Sequence, residues 1–155
     1  MPHNPYTPPE APLKEQPRPP GSPVKAVLIG LAIDIGGSLV LGIVLSVLYA
    51  ISLSSGGMNA QEVGEAMANI PTNSWPYIVG IVGGAILSFM GGYGCARIAR
   101  RSEYRLAFIL ASLSAGFGLV TSWDTYDVTQ NLLLALTTVA CVVLGAKYGR
   151  AANAS

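Results

Sequence analysis

The sequence predicts an all-α membrane protein, in which four antiparallel transmembrane helices form an up-down-up-down bundle behind a disordered N-terminal tail. Charged residues make up 11% of the 155 residues, against about 25% in an ordinary soluble domain. Hydrophobic residues make up 51%, and they gather in four blocks without the polar face that a soluble helix needs. The length of each block is close to the ~20 residues that a helix needs to cross a bilayer core.

The first 23 residues predict a disordered cytoplasmic tail, because they contain nine of the eleven prolines. Proline fixes φ and removes a backbone donor, so the segment should stay extended and solvated. A PxxP spacing runs from Pro17 to Pro20. The segment is therefore either a flexible tail or a peptide ligand for a partner's groove. Residues 151–155 are expected to form a second short cytoplasmic tail.

The transmembrane domain is predicted to span residues 24–150, with helices at about 26–53, 77–100, 104–121 and 128–148. The first helix is long enough to tilt or to project into the headgroups, and the third is slightly short. Residues 54–75 form the one sizeable loop, in which a short helix could lie on the membrane surface. The other two connections are tight, so successive helices should be antiparallel neighbours.

All nine basic residues fall on one side of this predicted topology: Lys14, Arg18, Lys25, Arg97, Arg100, Arg101, Arg105, Lys147 and Arg150. The opposite loops carry only acids, which are Glu62, Glu65, Asp124 and Asp127. Short basic loops stay in the cytoplasm, so both termini are predicted there, in a multi-pass protein of the inner membrane. The arginines between the second and third helices either set this topology alone or also hold anionic lipid.

Small residues recur at every fourth position of the first two helices. The positions we assign to helix packing are Gly30, Ser38, Gly42, Gly80, Gly84, Ser88 and Gly92. A spacing of four keeps such residues along one side of a helix, where they let neighbouring backbones come close. This small-residue stripe predicts packing within the bundle or, as the alternative, a face for homo-oligomerisation.

Asp34 is the only charged residue inside any of the four hydrophobic blocks, which are residues 26–53, 78–96, 106–121 and 128–146. It lies on the small-residue stripe, so it should face protein and not lipid, and an intramembrane acid is a candidate functional site. If Tyr49 marks the outer boundary, Asp34 lies only about 6 Å inside the cytoplasmic edge. There it could accept hydrogen bonds from Ser or Thr, or pair with an arginine of residues 97–105. Structural pairing and proton or cation handling both remain open.

The sequence offers no recognisable catalytic constellation, and we predict that the protein is not an enzyme. The single histidine, His3, lies in the tail, and Cys95 and Cys141 lack a metal-binding spacing. Asp124 and Asp127 share a short loop, in which we expect them to be solvated. No cofactor or metal is expected. The net charge of +1 favours no nucleic-acid partner.

Two stretches resemble known proteins. The start, NPYTPPEAP, is similar to the proline-rich leader of many uncharacterised bacterial inner-membrane proteins. The stretch GGYGCARIARRSEYRLAFILASLSAG resembles small four-helix membrane proteins of unknown function, with a GGYxxARxA-type end to the second helix. The resemblance implies a bacterial inner-membrane location and brings no activity with it.

Two functions follow from these patterns. The first is a small non-enzymatic membrane protein, either an accessory subunit or a self-associating helix-packing protein, whose partners are the bilayer and a second copy or another membrane protein. The alternative is a small proton- or cation-coupled transporter or channel that uses Asp34, with the glycine-rich faces as its pathway.

Overall fold

The computed structural model describes residues 21–154; the remainder of the predicted N-terminal tail lies outside the described residues. Five helices connected by short segments make up this part of the chain. They are α1 (Pro23–Ser55), α2 (Ala60–Ala68), α3 (Trp75–Ala99), α4 (Glu103–Ser122) and α5 (Val128–Ala154). All except α2 are long and apolar enough to cross a membrane. For residues 21–154 the prediction of an all-helical fold with four such helices is confirmed.

The outermost helices extend beyond their predicted ends. α1 begins at Pro23, because proline at the first helical position loses no hydrogen bond and already has a helical φ. α5 continues to Ala154, through most of the segment 151–155 that was predicted as a tail. Within this extension the Asn153 side-chain amide donates a hydrogen bond of 2.9 Å to the Ala96 carbonyl. That contact holds the end of α5 against α3.

A π-helical turn at Ala32–Gly36 interrupts α1. It separates the segment Pro23–Leu31, called here the N segment, from Gly37–Ser55, called the C segment. A π-helical turn within an α-helix changes the direction in which the following side chains point, and such turns are frequent at functional sites. Asp34 is the central residue of this turn.

The packed core lies where the N segment meets α3 and α4 and where α5 packs against these two helices, at what we call the Arg97 end of the bundle. Small side chains dominate it: Ala26, Cys95, Ala96, Ala99, Ala107, Leu110, Ala111, Val142 and Ala146. α3 lies centrally and contacts each of the other three long helices. With so little side-chain volume between them, the helices pack backbone against backbone.

Glycines mark the closest approaches at the Arg97 end. A Cβ added at Gly92 would overlap the carbonyl oxygen of Val142, and one at Gly145 would overlap a carbonyl oxygen of α3. A Cβ added at Gly91 would lie 2.8 Å from the carbonyl oxygen of Gly30. Since the atoms met are backbone atoms, a larger residue at these positions would force the helices apart.

The C segment of α1 is held less completely. It packs chiefly against α3, whereas the N segment packs against both α3 and α4. Leu41 and Leu45 make the contact with α3, where they approach Gly83 and Gly80. Because α4 does not close over the C segment, space remains between α1 and the other long helices.

Aromatic pairs mark the other end of the bundle, called here the Tyr49 end. The rings of Tyr49 and Trp75 meet edge to face with centroids 6.2 Å apart, and those of Tyr77 and Tyr126 meet in the same way at 6.2 Å. The first pair joins the end of α1 to α3, and the second joins the connection between α4 and α5 to α3.

The connection between α4 and α5 is organised by a buried amide, Asn131. Its Nδ2 donates to the Tyr126 carbonyl at 2.9 Å, and its Oδ1 accepts a hydrogen bond from the Ser122 hydroxyl. Asp127, predicted as a solvated loop acid, accepts a hydrogen bond of 2.8 Å from the backbone N–H of Gln130. It therefore caps the N-terminus of α5.

Candidate functional site: the Asp34 cavity

Asp34 is buried between α1 and α3, with 4% of its surface exposed. The Ser88 hydroxyl donates a hydrogen bond of 2.7 Å to Oδ1 of Asp34. The other carboxyl oxygen, Oδ2, has no hydrogen-bond partner among residues 21–154. Buried polar atoms in folded proteins nearly always have a partner. An unpaired carboxyl oxygen at this depth therefore marks a place where a ligand or a water can bind.

The position of Ser88 on α3 shows how far along the bundle the Asp34 carboxyl lies, because the two side chains are hydrogen-bonded. Ser88 lies about 20 Å from Trp75 and about 16 Å from Ala99 along α3, at 1.5 Å per residue. The Asp34 carboxyl, which binds Ser88, is thus near the middle of α3.

A cavity of about 470 Å³ opens beside Asp34, between the C segment of α1 and helices α3, α4 and α5. One part of the cavity is bordered by polar residues: Asp34, Ser88 and Ser114. Tyrosines border another part, at the Tyr49 end: Tyr49, Tyr77 and Tyr126. Its volume falls in the range of about 300–1,000 Å³ that is usual for small-molecule sites.

The cavity wall combines apolar side chains with hydroxyl groups. Leu39, Leu45 and Phe117 are among its apolar members, and Ser46, Thr137 and Thr138 contribute hydroxyls. Asp34 is the one acidic residue in the described lining, and no lysine, arginine or histidine appears there. An ionised Asp34 would therefore make the cavity attractive to cations and unfavourable for anions.

A second unpaired polar atom belongs to a residue that borders the same cavity. The hydroxyl of Ser114 on α4 is buried and has no hydrogen-bond partner among the described residues. Leu110, one turn earlier on α4, lies against Gly30, which is one turn from Asp34 on α1. Ser114 and Asp34 therefore stand at a similar level of the bundle on two helices that border one cavity.

The small-residue stripe divides between two environments. Gly30 and Gly92 lie against the backbones of neighbouring helices. The remaining five positions border the cavity: Ser38, Gly42, Gly80, Gly84 and Ser88. A Cβ added at Gly42 or Gly84 would meet no atom within 4 Å. Members of one small-residue stripe thus allow close helix contact at the Arg97 end of the bundle and border open space nearer the Tyr49 end.

The four arginines proposed for topology or lipid contact lie at the Arg97 end and are exposed: Arg97, Arg100, Arg101 and Arg105. The Arg97 guanidinium donates to the Tyr93 hydroxyl at 3.2 Å and lies 5.9 Å from the centroid of that ring. Of the two kinds of structural partner that the sequence left open for Asp34, the structure contains the serine.

Ser114 and Asn131 were not singled out by sequence reasoning. For Ser114 a signal was present, since it lies two helical turns from Ala107 and is buried together with Ala107 and Ala111. For Asn131 there was no comparable signal, because a polar residue at the start of a helix is ordinarily solvated.

No family model, curated protein or solved structure matches the chain. The class of protein therefore follows from the fold and the site. Four helices that are long and apolar enough to cross a membrane define a multi-pass membrane protein. Within it, one buried acid borders a cavity of small-molecule size.

Proposed function

We propose that the protein binds a cation in the Asp34 cavity and moves it across the inner membrane in exchange for a proton. The observation that carries this proposal is the Asp34 Oδ2 atom, which is buried without a hydrogen-bond partner beside a cavity whose described lining holds no positive side chain. A carboxyl group binds a cation when ionised and releases it when protonated, so one residue can couple the two movements.

The proposed orientation makes the cavity accessible from outside the cell. In this proposed orientation, which the positive-inside pattern of the basic residues supports, the Arg97 end lies in the cytoplasm and the Tyr49 end lies outside. The packed alanine core closes the Arg97 end, so the structure would correspond to an outward-open state. The C segment of α1, which packs chiefly against α3, is the element proposed to move during opening and closing.

Ser88 has a positioning role in this proposal. Its hydroxyl donates to Oδ1 of Asp34, which fixes the carboxyl plane and leaves Oδ2 for the cation. The π-helical turn supplies the second constraint, because it determines the direction in which Asp34 leaves α1. Both constraints act on the carboxyl and leave its second oxygen unpaired.

The test is a flux measurement in proteoliposomes with an imposed pH gradient. Na⁺, K⁺ or methylammonium is added outside, and proton movement is followed with an enclosed pH-sensitive dye. We expect cation-dependent proton flux for the parent protein and none above empty liposomes for Asp34→Asn. Asp124→Asn is the matched control, since it removes an exposed loop acid and should leave the flux unchanged. A parent protein without flux, or equal flux in Asp34→Asn, would refute the proposal.

A second candidate is a non-enzymatic protein that associates with a second copy through a helix seated in the cavity. The open space at Gly42 and Gly84 favours it, because close helix association in lipid uses such small residues. Gly42→Leu should then convert a dimer into a monomer, as measured by cross-linking in liposomes. Gly116→Leu is the control, because Gly116 also faces open space but does not border the cavity. A parent protein that is monomeric throughout would exclude this function.

A further inference from the structure

We infer that the ligand of the Asp34 cavity is an organic ammonium ion with a slender apolar body, held at its charged end by Asp34 and Ser114 together. The inference rests on the proposed function and names the chemical class of the cation. It adds Ser114 as a binding residue and excludes a bare metal ion as the principal ligand.

The two unpaired atoms match the hydrogen-bonding needs of an ammonium group. Such a group has three N–H donors and no acceptor. Oδ2 of Asp34 and Oγ of Ser114 are both buried acceptors without partners among the described residues, and both residues border the cavity. The Asp34 carboxylate supplies the opposite charge, without which a buried cation would be strongly unfavourable.

A metal ion fits these residues less well. Hard cations surround themselves with about six or more oxygen ligands. Near Asp34 the side chains of the described lining offer a carboxyl group that already binds Ser88. They also offer the hydroxyls of Ser38 and Ser114, and together these groups fall short of about six oxygens. An ammonium group needs fewer acceptors, and its attached carbon atoms can lie against the apolar wall.

The size and shape of the cavity indicate the body of the ligand. A volume of about 470 Å³ is many times the roughly 30 Å³ that one water molecule occupies. From Asp34 to Tyr49 the distance along α1 is about 22 Å at 1.5 Å per residue, and the lining includes residues along that whole length. Leu39, Leu45 and Phe117 would contact a hydrocarbon chain.

The tyrosines at the Tyr49 end provide an entry for the charged group. Tyr49, Tyr77 and Tyr126 border the cavity there, and aromatic faces attract ammonium ions. A cation could therefore exchange part of its hydration for contact with these rings before it reaches Asp34.

The experiment measures binding by calorimetry to the parent protein in lipid nanodiscs, with empty nanodiscs as the blank. The probes are n-hexylammonium, hexan-1-ol as its neutral counterpart, and sodium chloride. We expect hexylammonium to bind the parent and Asp124→Asn equally. Ser114→Ala should weaken binding about three- to tenfold, the range for one lost hydrogen bond. Asp34→Asn should weaken it by tenfold or more, because it removes the charge.

Ser114→Thr separates binding from structure, because it keeps the hydroxyl and should retain more affinity than Ser114→Ala. The inference is overturned if hexan-1-ol binds as tightly as hexylammonium, if sodium displaces hexylammonium, or if Ser114→Ala binds like the parent. Asp34-dependent flux of Na⁺ or K⁺ without hexylammonium binding would overturn the ligand class and leave transport standing. Hexylammonium binding without any flux would refute transport and leave the ligand assignment standing.

Discussion

Two glycines of the small-residue stripe on α3 should respond differently to the same substitution. A Cβ added at Gly92 would overlap the carbonyl oxygen of Val142 and lie 2.9 Å from its Cα. A Cβ added at Gly84 would meet no atom within 4 Å. Gly92→Ala and Gly84→Ala therefore introduce the same methyl group into the same helix, once against a backbone and once into open space.

The expected difference can be estimated from these contacts. Around Gly92 the new methyl meets backbone atoms of α5, which cannot rotate away, so α3 and α5 must separate. Such overpacking costs about 1–3 kcal/mol. At Gly84 no contact is strained or lost, and a substitution without such features changes stability by about 0.5 kcal/mol or less. Gly92→Ala should thus be less stable than Gly84→Ala by about 1–3 kcal/mol.

Unfolding by sodium dodecyl sulfate in mixed micelles provides the measurement, followed by the fluorescence of Trp75 and Trp123. Equal stability of the two variants would show that α3 and α5 do not meet at Gly92. A Gly84→Ala variant that loses more stability than Gly92→Ala would show that a helix occupies the cavity in the micelle. Either result would refute the assignment of the two glycines to different environments.

Three further predictions concern the connection between α4 and α5. Asn131→Ala should lower the free energy of unfolding by about 1–3 kcal/mol, because Asn131 is buried and the Tyr126 carbonyl and Ser122 hydroxyl lose its hydrogen bonds. Asp127→Ala should lower it by about 0.5–2 kcal/mol through loss of the α5 cap; the same unfolding titration measures both. Two causes raise the pKa of Tyr126 above its ordinary value of about 10: burial, which is the larger, and the charge interaction with the neighbouring Tyr77. The stability contributed by this neutral phenol is therefore complete below about pH 10 and is lost as the pH rises above it, and Tyr126→Phe should weaken this alkaline loss in an unfolding series.

Each of these has a result that contradicts it. Thr129→Ala, at an exposed position of α5, is the control for Asn131→Ala and Asp127→Ala, and equal effects of all three would remove the roles given to the amide and the cap. For Tyr126, a phenolate absorbance titration in which the parent shows a component at about pH 10 or below that Tyr126→Phe lacks would show that this phenol is not shifted upward.

The four long helices were predictable because the length and hydropathy of a segment are local properties. Their predicted bounds differ from those in the structure mainly at the ends of α1 and α5, where Pro23 starts a helix and Asn153 binds the Ala96 carbonyl. The first effect was readable from the sequence, since proline is suited to the first helical turn. The second depends on a contact between residues far apart in the chain. The orientation in the membrane and the choice of membrane remain predictions of the charge pattern.

The candidate site was predictable only in part. A lone acid among apolar residues identifies Asp34 from the sequence, because charge inside a membrane segment is costly. Its partner Ser88 was also selected, as one member of a regular stripe. Ser114 was not selected, although it lies two helical turns from Ala107. The cavity was not predictable, since it does not belong to a pattern within one segment.

Residue order alone is thus enough to predict which segments can cross a membrane, where the intramembrane acid lies and which helix faces carry small residues. Which of those small residues touch a neighbouring helix is known only from the packing of the bundle: Gly92 meets the backbone of α5, while Gly84 borders the Asp34 cavity. The physical reason is that spacing along one helix specifies a face but not the distance to the helix opposite. That distance depends on how the C segment of α1 packs against α3 and apart from α4, and it is set by all the contacts in the bundle together.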